Sequence, residues 1–142
     1  MTEQDIMNKN LVLIEYLNSI INGYKIKAEY STNDNDIKVI VVQETSGEKV
    51  VFYDANSLFN YYNIDIYGDS IRDAKETSVI IGNLIGNNVY LDYEVIDKDK
   101  KKETQKWQIM FKQFSNPRTI LYDDIRRVSY TATLKCIVNR IA

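Results

Sequence analysis

Apolar and polar positions alternate along this chain with two different periods. Ile6, Leu13, Leu17, Ile20 and Tyr24 recur at helical spacing, widened by Ile14 and Ile21, and predict an amphipathic helix over 2–22. Thr2 or Asp5 is placed to cap it, Glu3 and Asp5 suit its positive end, and Asn22-Gly23 is a stop. Ile26, Ala28 and Tyr30 then alternate with charged residues, Ile37 to Gln43 is rich in β-branched residues, and Lys49 to Tyr53 follows a second turn. These three pieces predict strands in a meander. Asp54 to Asn60 predicts a bend or a short helical turn.

From Tyr61 to Gly86 the period changes within one unit. Tyr62, Ile64 and Ile66 face one way and Tyr61, Asn63, Asp65 and Tyr67 the other, as in a strand. Gly68-Asp69-Ser70 turns the chain and supplies Asp69 or Ser70 as a helix N-cap. Ile71, Ala74, Ser78, Ile81 and Ile85 predict the buried stripe of a helix, with Arg72, Asp73, Lys75 and Glu76 toward solvent and Gly86 after its end. Beyond it Val89, Leu91, Tyr93 and Val95 alternate, then Trp107, Ile109 and Phe111, with the charged run Asp97 to Glu103 between them. This predicts a hairpin with a solvated tip. Ser115 to Arg127 reads as a long connection holding the single proline, Pro117. Val128, Tyr130, Ala132, Leu134, Cys136 and Val138 share one face of a long last strand. The expected class is α+β: a mixed, mainly antiparallel sheet packed against an N-terminal helix and a central helix, as a single domain over 1–142.

Composition narrows the chemistry. The 142 residues carry 18 basic and 20 acidic side chains, a net charge of −2, which is no footprint for nucleic-acid binding. No histidine is present, so the commonest general base and metal ligand is missing. The single cysteine, Cys136, excludes an intramolecular disulfide and a cysteine zinc cluster, and its alternating context predicts a small buried hydrophobe in a reducing compartment. No phosphate-cradling glycine motif occurs. Adjacent carboxylates such as Asp123-Asp124 read as solvated loop residues. No apolar run reaches the ~18 residues of a membrane span, and the polar N-terminus does not resemble a signal peptide. No catalytic, cofactor-binding or metal-binding residues are expected, and no enzymatic activity.

Candidate interaction residues fall in two places. The hairpin tip, with Asp97, Lys98, Lys100, Lys101 and Lys102, is either a solvated turn or a docking finger. The segment Phe114 to Arg127 mixes Phe114, Arg118 and Tyr122 with the pairs Asp123-Asp124 and Arg126-Arg127. Exposed arginine, tyrosine and aliphatics are an interface composition, and the alternative is a lid over the core. Eleven tyrosines, among them Tyr16, Tyr61, Tyr67, Tyr90 and Tyr122, suit either subunit contacts or cover over a partly exposed sheet.

The order of helix, meander, NIDIYG strand (Asn63 to Gly68), SIRDAKETSVIIGNLI helix (Ser70 to Ile85), hairpin, and a DDIRR segment (Asp123 to Arg127) feeding the long last strand SYTATLKCIVNRI resembles the tail terminator, or tail completion, proteins of tailed bacteriophages and phage-tail-like particles. The resemblance implies a structural virion protein assembled in the host bacterial cytoplasm. It implies a homohexameric ring that caps the head-proximal end of the tail tube, stops its growth and mediates attachment to the head or neck. The implied partners are copies of itself, the tube protein, a head-completion protein and, in a contractile tail, the sheath, with DNA only passing through the lumen and no membrane. A neighbouring neck component, a head-completion or head–tail joining protein, is the alternative. A small-ligand or peptide-binding module is a remoter one.

Overall fold

A computed structural model describes residues 3–28, 38–44, 48–49, 58–122 and 128–142. The fold class is α+β, with a mixed, mostly antiparallel sheet packed against helices. In chain order the elements are α1 (Glu3–Ile20), β1 (Lys25–Lys27), β2 (Val39–Glu44), β3 (Glu48–Lys49), β4 (Leu58–Gly68), α2 (Ile71–Gly82), β5 (Asn88–Ile96), β6 (Lys102–Tyr122) and β7 (Val128–Arg140). The strands lie in the order β1-β2-β4-β7-β6-β5, and β3 pairs with β4.

Helix α1 ends where the sequence places its stop, with Gly23 in the left-handed region at φ 83°. Val12, Leu13, Leu17 and Ile21 are buried from it, while the side chain of Ile6 and the capping residue Thr2 lie outside the described set. The strands bury one face against the helices: Ile40 and Val42 of β2, Tyr62, Ile64 and Ile66 of β4, Leu134, Cys136 and Val138 of β7, and Trp107, Ile109 and Phe111 of β6; Val39 and Val41 of β2 and Ile137 of β7 are buried on the other face. The ladder aligns them in rows, such as Val42, Ile64 and Ala132. Ala74 and Ile81 of α2 join the same cluster, so both helices cover one face of the sheet.

Helix α2 begins as the sequence predicts. Gly68 closes β4 and Ser70, extended at φ −148°, caps the helix: its Oγ accepts the Asp73 N–H at 3.1 Å. Ser70→Ala is expected to cost about 1 kcal/mol, read as a shift of the urea midpoint at constant m-value. The buried stripe differs in detail. Ala74, Thr77, Ser78 and Ile81 are buried, but Ile71, the first residue of the helix, is exposed. Helical geometry stops at Gly82 instead of Ile85. Tight turns then reach Gly86 at φ 88°, whose N–H donates to the Phe111 carbonyl at 2.9 Å and ties the end of the unit to β6.

Three expectations are corrected. First, β1 and β2 are parallel, with Lys25 beside Val39 and Lys27 beside Val41, and β3 pairs with β4, so these pieces do not form a meander. Alternation fixes which face a strand buries and carries nothing about its direction. The remainder of the expected strands, to Tyr30 and to Tyr53, lies outside the described residues. Second, Leu58 to Asn60, expected in a bend or helical turn, is the start of β4, because its pairing with β3 and β7 overrides the local turn chemistry before it. Third, Ser115 to Tyr122 is strand, not connection. Strand β6 is 21 residues long and stays paired with β7 through bulges at Phe111/Gln113, Ser115/Arg118 and Ile120/Tyr122. Pro117 falls within the second bulge, where the ladder needs no N–H from it.

Candidate interface surfaces

The hairpin tip is built around one of its predicted contact residues. Asp97 Oδ1 accepts the N–H groups of Asp99 (2.9 Å) and Lys101 (2.8 Å), and its own N–H donates to the Lys101 carbonyl at 3.0 Å. Asp97 therefore holds the turn. Lys98, Lys100 and Lys101 are exposed around it, and Lys102 begins β6 opposite Ile96. Lys100 has φ 60°, a left-handed conformation that strains any residue with a Cβ. Lys100→Gly is expected to raise stability by about 0.5–1 kcal/mol in thermal unfolding. Loss of stability would mean that the lysine side chain anchors the turn.

The second predicted group separates. Phe114 is half-buried against the core, opposite Leu134, with its ring 3.7 Å from the position a Cβ would take on Gly82. It belongs to the scaffold beneath α2. Arg118 pairs in register with Thr131 and Tyr122 with Val128; their side chains, and Asp123, Asp124, Arg126 and Arg127 entirely, lie outside the described residues. The structure thus gathers the tip residues into one turn and places Phe114 elsewhere.

Tyrosines pack within the core and cover the outer face of the sheet. Tyr16 packs its ring on Phe111 with centroids 5.8 Å apart. On the face away from the helices, Lys135 lies over the Tyr61 ring at 5.6 Å, and Thr131 donates a hydrogen bond to the Asp65 carboxylate. Tyr90 is 67 % exposed, its hydroxyl accepting from Gln108 Nε2 at 3.1 Å.

Two polar groupings escaped the sequence reading. At the junction of β1, β2 and α2, Tyr24 donates to Asp73 Oδ2 at 2.6 Å, and Lys38 reaches the same oxygen at 3.3 Å while lying over the Tyr24 ring. Burial and the bond to Asp73 push the Tyr24 hydroxyl far above the usual tyrosine range. Asp73 is thereby half-buried and engaged instead of solvent-facing. The second grouping is inside: Lys9 is buried, with Nζ donating to Asn60 Oδ1 at 3.5 Å, and Asn60 Nδ2 donating to Glu44 Oε1 at 3.0 Å. Burial pulls the Lys9 ammonium below the usual lysine range against the pull of Glu44, and pushes the Cys136 thiol well up. Lys9 stands four residues before Leu13 on the apolar stripe, and Asn60 precedes Tyr62, Ile64 and Ile66 in phase, so both were visible as polar residues at core positions.

Among the described residues no group of three or more histidine, cysteine, aspartate or glutamate side chains is placed to hold a metal ion, and no helix is long and apolar enough to cross a membrane. Among the described residues the exposed large apolar side chains are Ile71, Val79 and Ile80 on the outer side of α2, Leu11 on α1, Tyr90 and Ile96 on β5, and Ile141 after β7. The chain matches no protein-family model, and a search of curated proteins finds no match.

Proposed function

We propose that this chain is a structural, non-enzymatic protein of a tailed phage or phage-tail-like particle. It forms a hexameric ring that caps the head-proximal end of the tail tube, stops tube growth and joins the tail to the head or neck. The observation that carries this reading is the sequential order of the elements. A strand of the form NIDIYG runs across Gly68 into a capped helix, then a hairpin and a long last strand, the order in which the sequence resembles the tail terminators. Layering supports it as well: both helices lie on one face, leaving the sheet edges for neighbours.

Deleting the gene from its parent particle tests the reading. Tubes of abnormal length, or filled heads without tails, are expected. Normal-length tails that fail to join heads would instead assign the chain to head–tail joining.

A further inference from the structure

The two edges of the sheet differ in length and in charge. At one, β5 runs nine residues against β6 in unbroken register, with no proline, bulge or basic residue. The Phe111 N–H bond to the Asn87 carbonyl at one end and the Asp97 N–H bond to the Lys101 carbonyl at the other set its phase. Odd-numbered residues from Val89 to Val95 turn their backbone groups to β6. Asn88, Tyr90, Asp92, Glu94 and Ile96 turn theirs outward. The side chains of these five are all exposed, on the face away from the helices. Soluble proteins blunt such edges with short strands, charged side chains, prolines or bulges; of these β5 has only the carboxylates of Asp92 and Glu94. Among the described residues no strand lies beyond it. It is a template for strand addition.

Among the described residues the opposite edge is β1, Lys25-Ile26-Lys27. Ile26 is buried in the core, so Lys25 and Lys27 project on the other face, the one carrying Asp92 and Glu94. The Lys25 N–H bond to the Lys38 carbonyl turns the Lys25 backbone to β2, and alternation turns that of Ile26 outward. The pairings also give β1 and β5 the same direction in the sheet. When the sheets of two copies are laid edge to edge with their helices on one side, β5 of one meets β1 of the next in parallel. Asp92 and Glu94 then stand beside Lys25 and Lys27.

We propose that a second copy of this chain is the occupant of the β5 edge, bound through its β1. The contact is head-to-tail and propagates one sheet through successive copies, as a closed ring requires. Charge favours this partner over β5 itself, since antiparallel self-pairing centred on Asp92 sets that carboxylate against its own copy. Lys106 stands opposite Asp92 on β6 and offsets part of its charge; Thr104, opposite Glu94, offsets none. This inference supplies the seam of the ring proposed above and rests on that reading.

The test is a charge swap read by sedimentation velocity. D92K/E94K and K25E/K27E are each expected to weaken self-association at least about tenfold. Mixing the two variants is expected to restore it, because each supplies the edge complementary to the other. Tyr90→Pro, which removes an outward N–H and leaves the backbone ladder to β6 intact, is expected to abolish assembly with at most a small fall in melting midpoint from the lost Gln108 bond. Rings that form equally well from each charge variant would overturn the seam and leave the ring standing. So would a mixture of folded variants that stays dissociated. A native chain that remains monomeric even with purified tail tubes would overturn both.

Discussion

Trp107→Ala is expected to cost about 3–5 kcal/mol, the largest loss of any single truncation considered. Trp107 is the largest fully buried side chain among the described residues and sits on β6 opposite Leu91, between the edge strand and the rest of the sheet. Its removal leaves a void that a long, doubly paired strand cannot collapse into. Its indole Nε1 also donates to Gln105 Oε1 at 3.0 Å, and Gln105 is itself buried, so truncation strands a polar atom as well. A domain of this size loses about 3 °C in melting midpoint per kcal/mol, so the midpoint should fall by roughly 10–15 °C. Trp107→Phe keeps most of the volume and should recover more than half of the loss. A drop of only a few degrees for the alanine variant would mean that the β5–β6 hairpin packs independently of the central sheet.

Lys9→Met is expected to act in the opposite direction. Lys9 is buried on α1 with one long hydrogen bond to Asn60 for an ammonium that has three protons to place. Replacing an under-satisfied buried charge by an apolar side chain of similar volume is commonly neutral or stabilising, here by about 1–3 kcal/mol. The pH dependence carries the same information. Burial lowers the folded-state pKa of Lys9 below its ordinary 10.5. Between those two values the unfolded chain binds more protons than the folded one, so native stability rises with pH across that window and levels off above 10.5. In urea titrations from neutral pH to about 10.5, the native protein should gain on Lys9→Met as pH climbs. A flat difference, or a methionine variant much weaker than native at pH 7, would show that the Lys9–Asn60–Glu44 chain is net stabilising.

How far the sequence reaches depends on what each signal encodes. Burial was legible wherever a period ran without interruption: the alternate residues of β4, β6 and β7 that the pattern assigns to one face are those in the core. Turn chemistry located Ser70 and Gly23 because caps depend on local backbone geometry alone. Strand direction was not legible, since the parallel pairing of Ile26 with Ile40 buries the same side chains as an antiparallel one would. The extent of β6 was hidden for a different reason. Three bulges shift the period near Lys112, Pro117 and Leu121, so a strand that stays paired reads as an irregular connection. Of the two roles left open for the segment holding Phe114, interface or lid over the core, its half-buried ring packs with the core. The lysine-rich tip, by contrast, was placed correctly as an exposed turn, although Asp97 organises it from within.

The seam proposed at β5 would place function on backbone instead of side chains. No motif marks Asn88 to Ile96, and its alternation looks like that of any half-buried strand. What distinguishes it is position in the sheet order, which only the pairing of β6 with β7 reveals.

Imaging the intact particle at its neck tests the central claim most directly. One ring of density, built from copies of this chain, is expected on the last ring of the tail tube, facing the head. Density for this chain elsewhere in the particle, or its absence from purified particles, would contradict it.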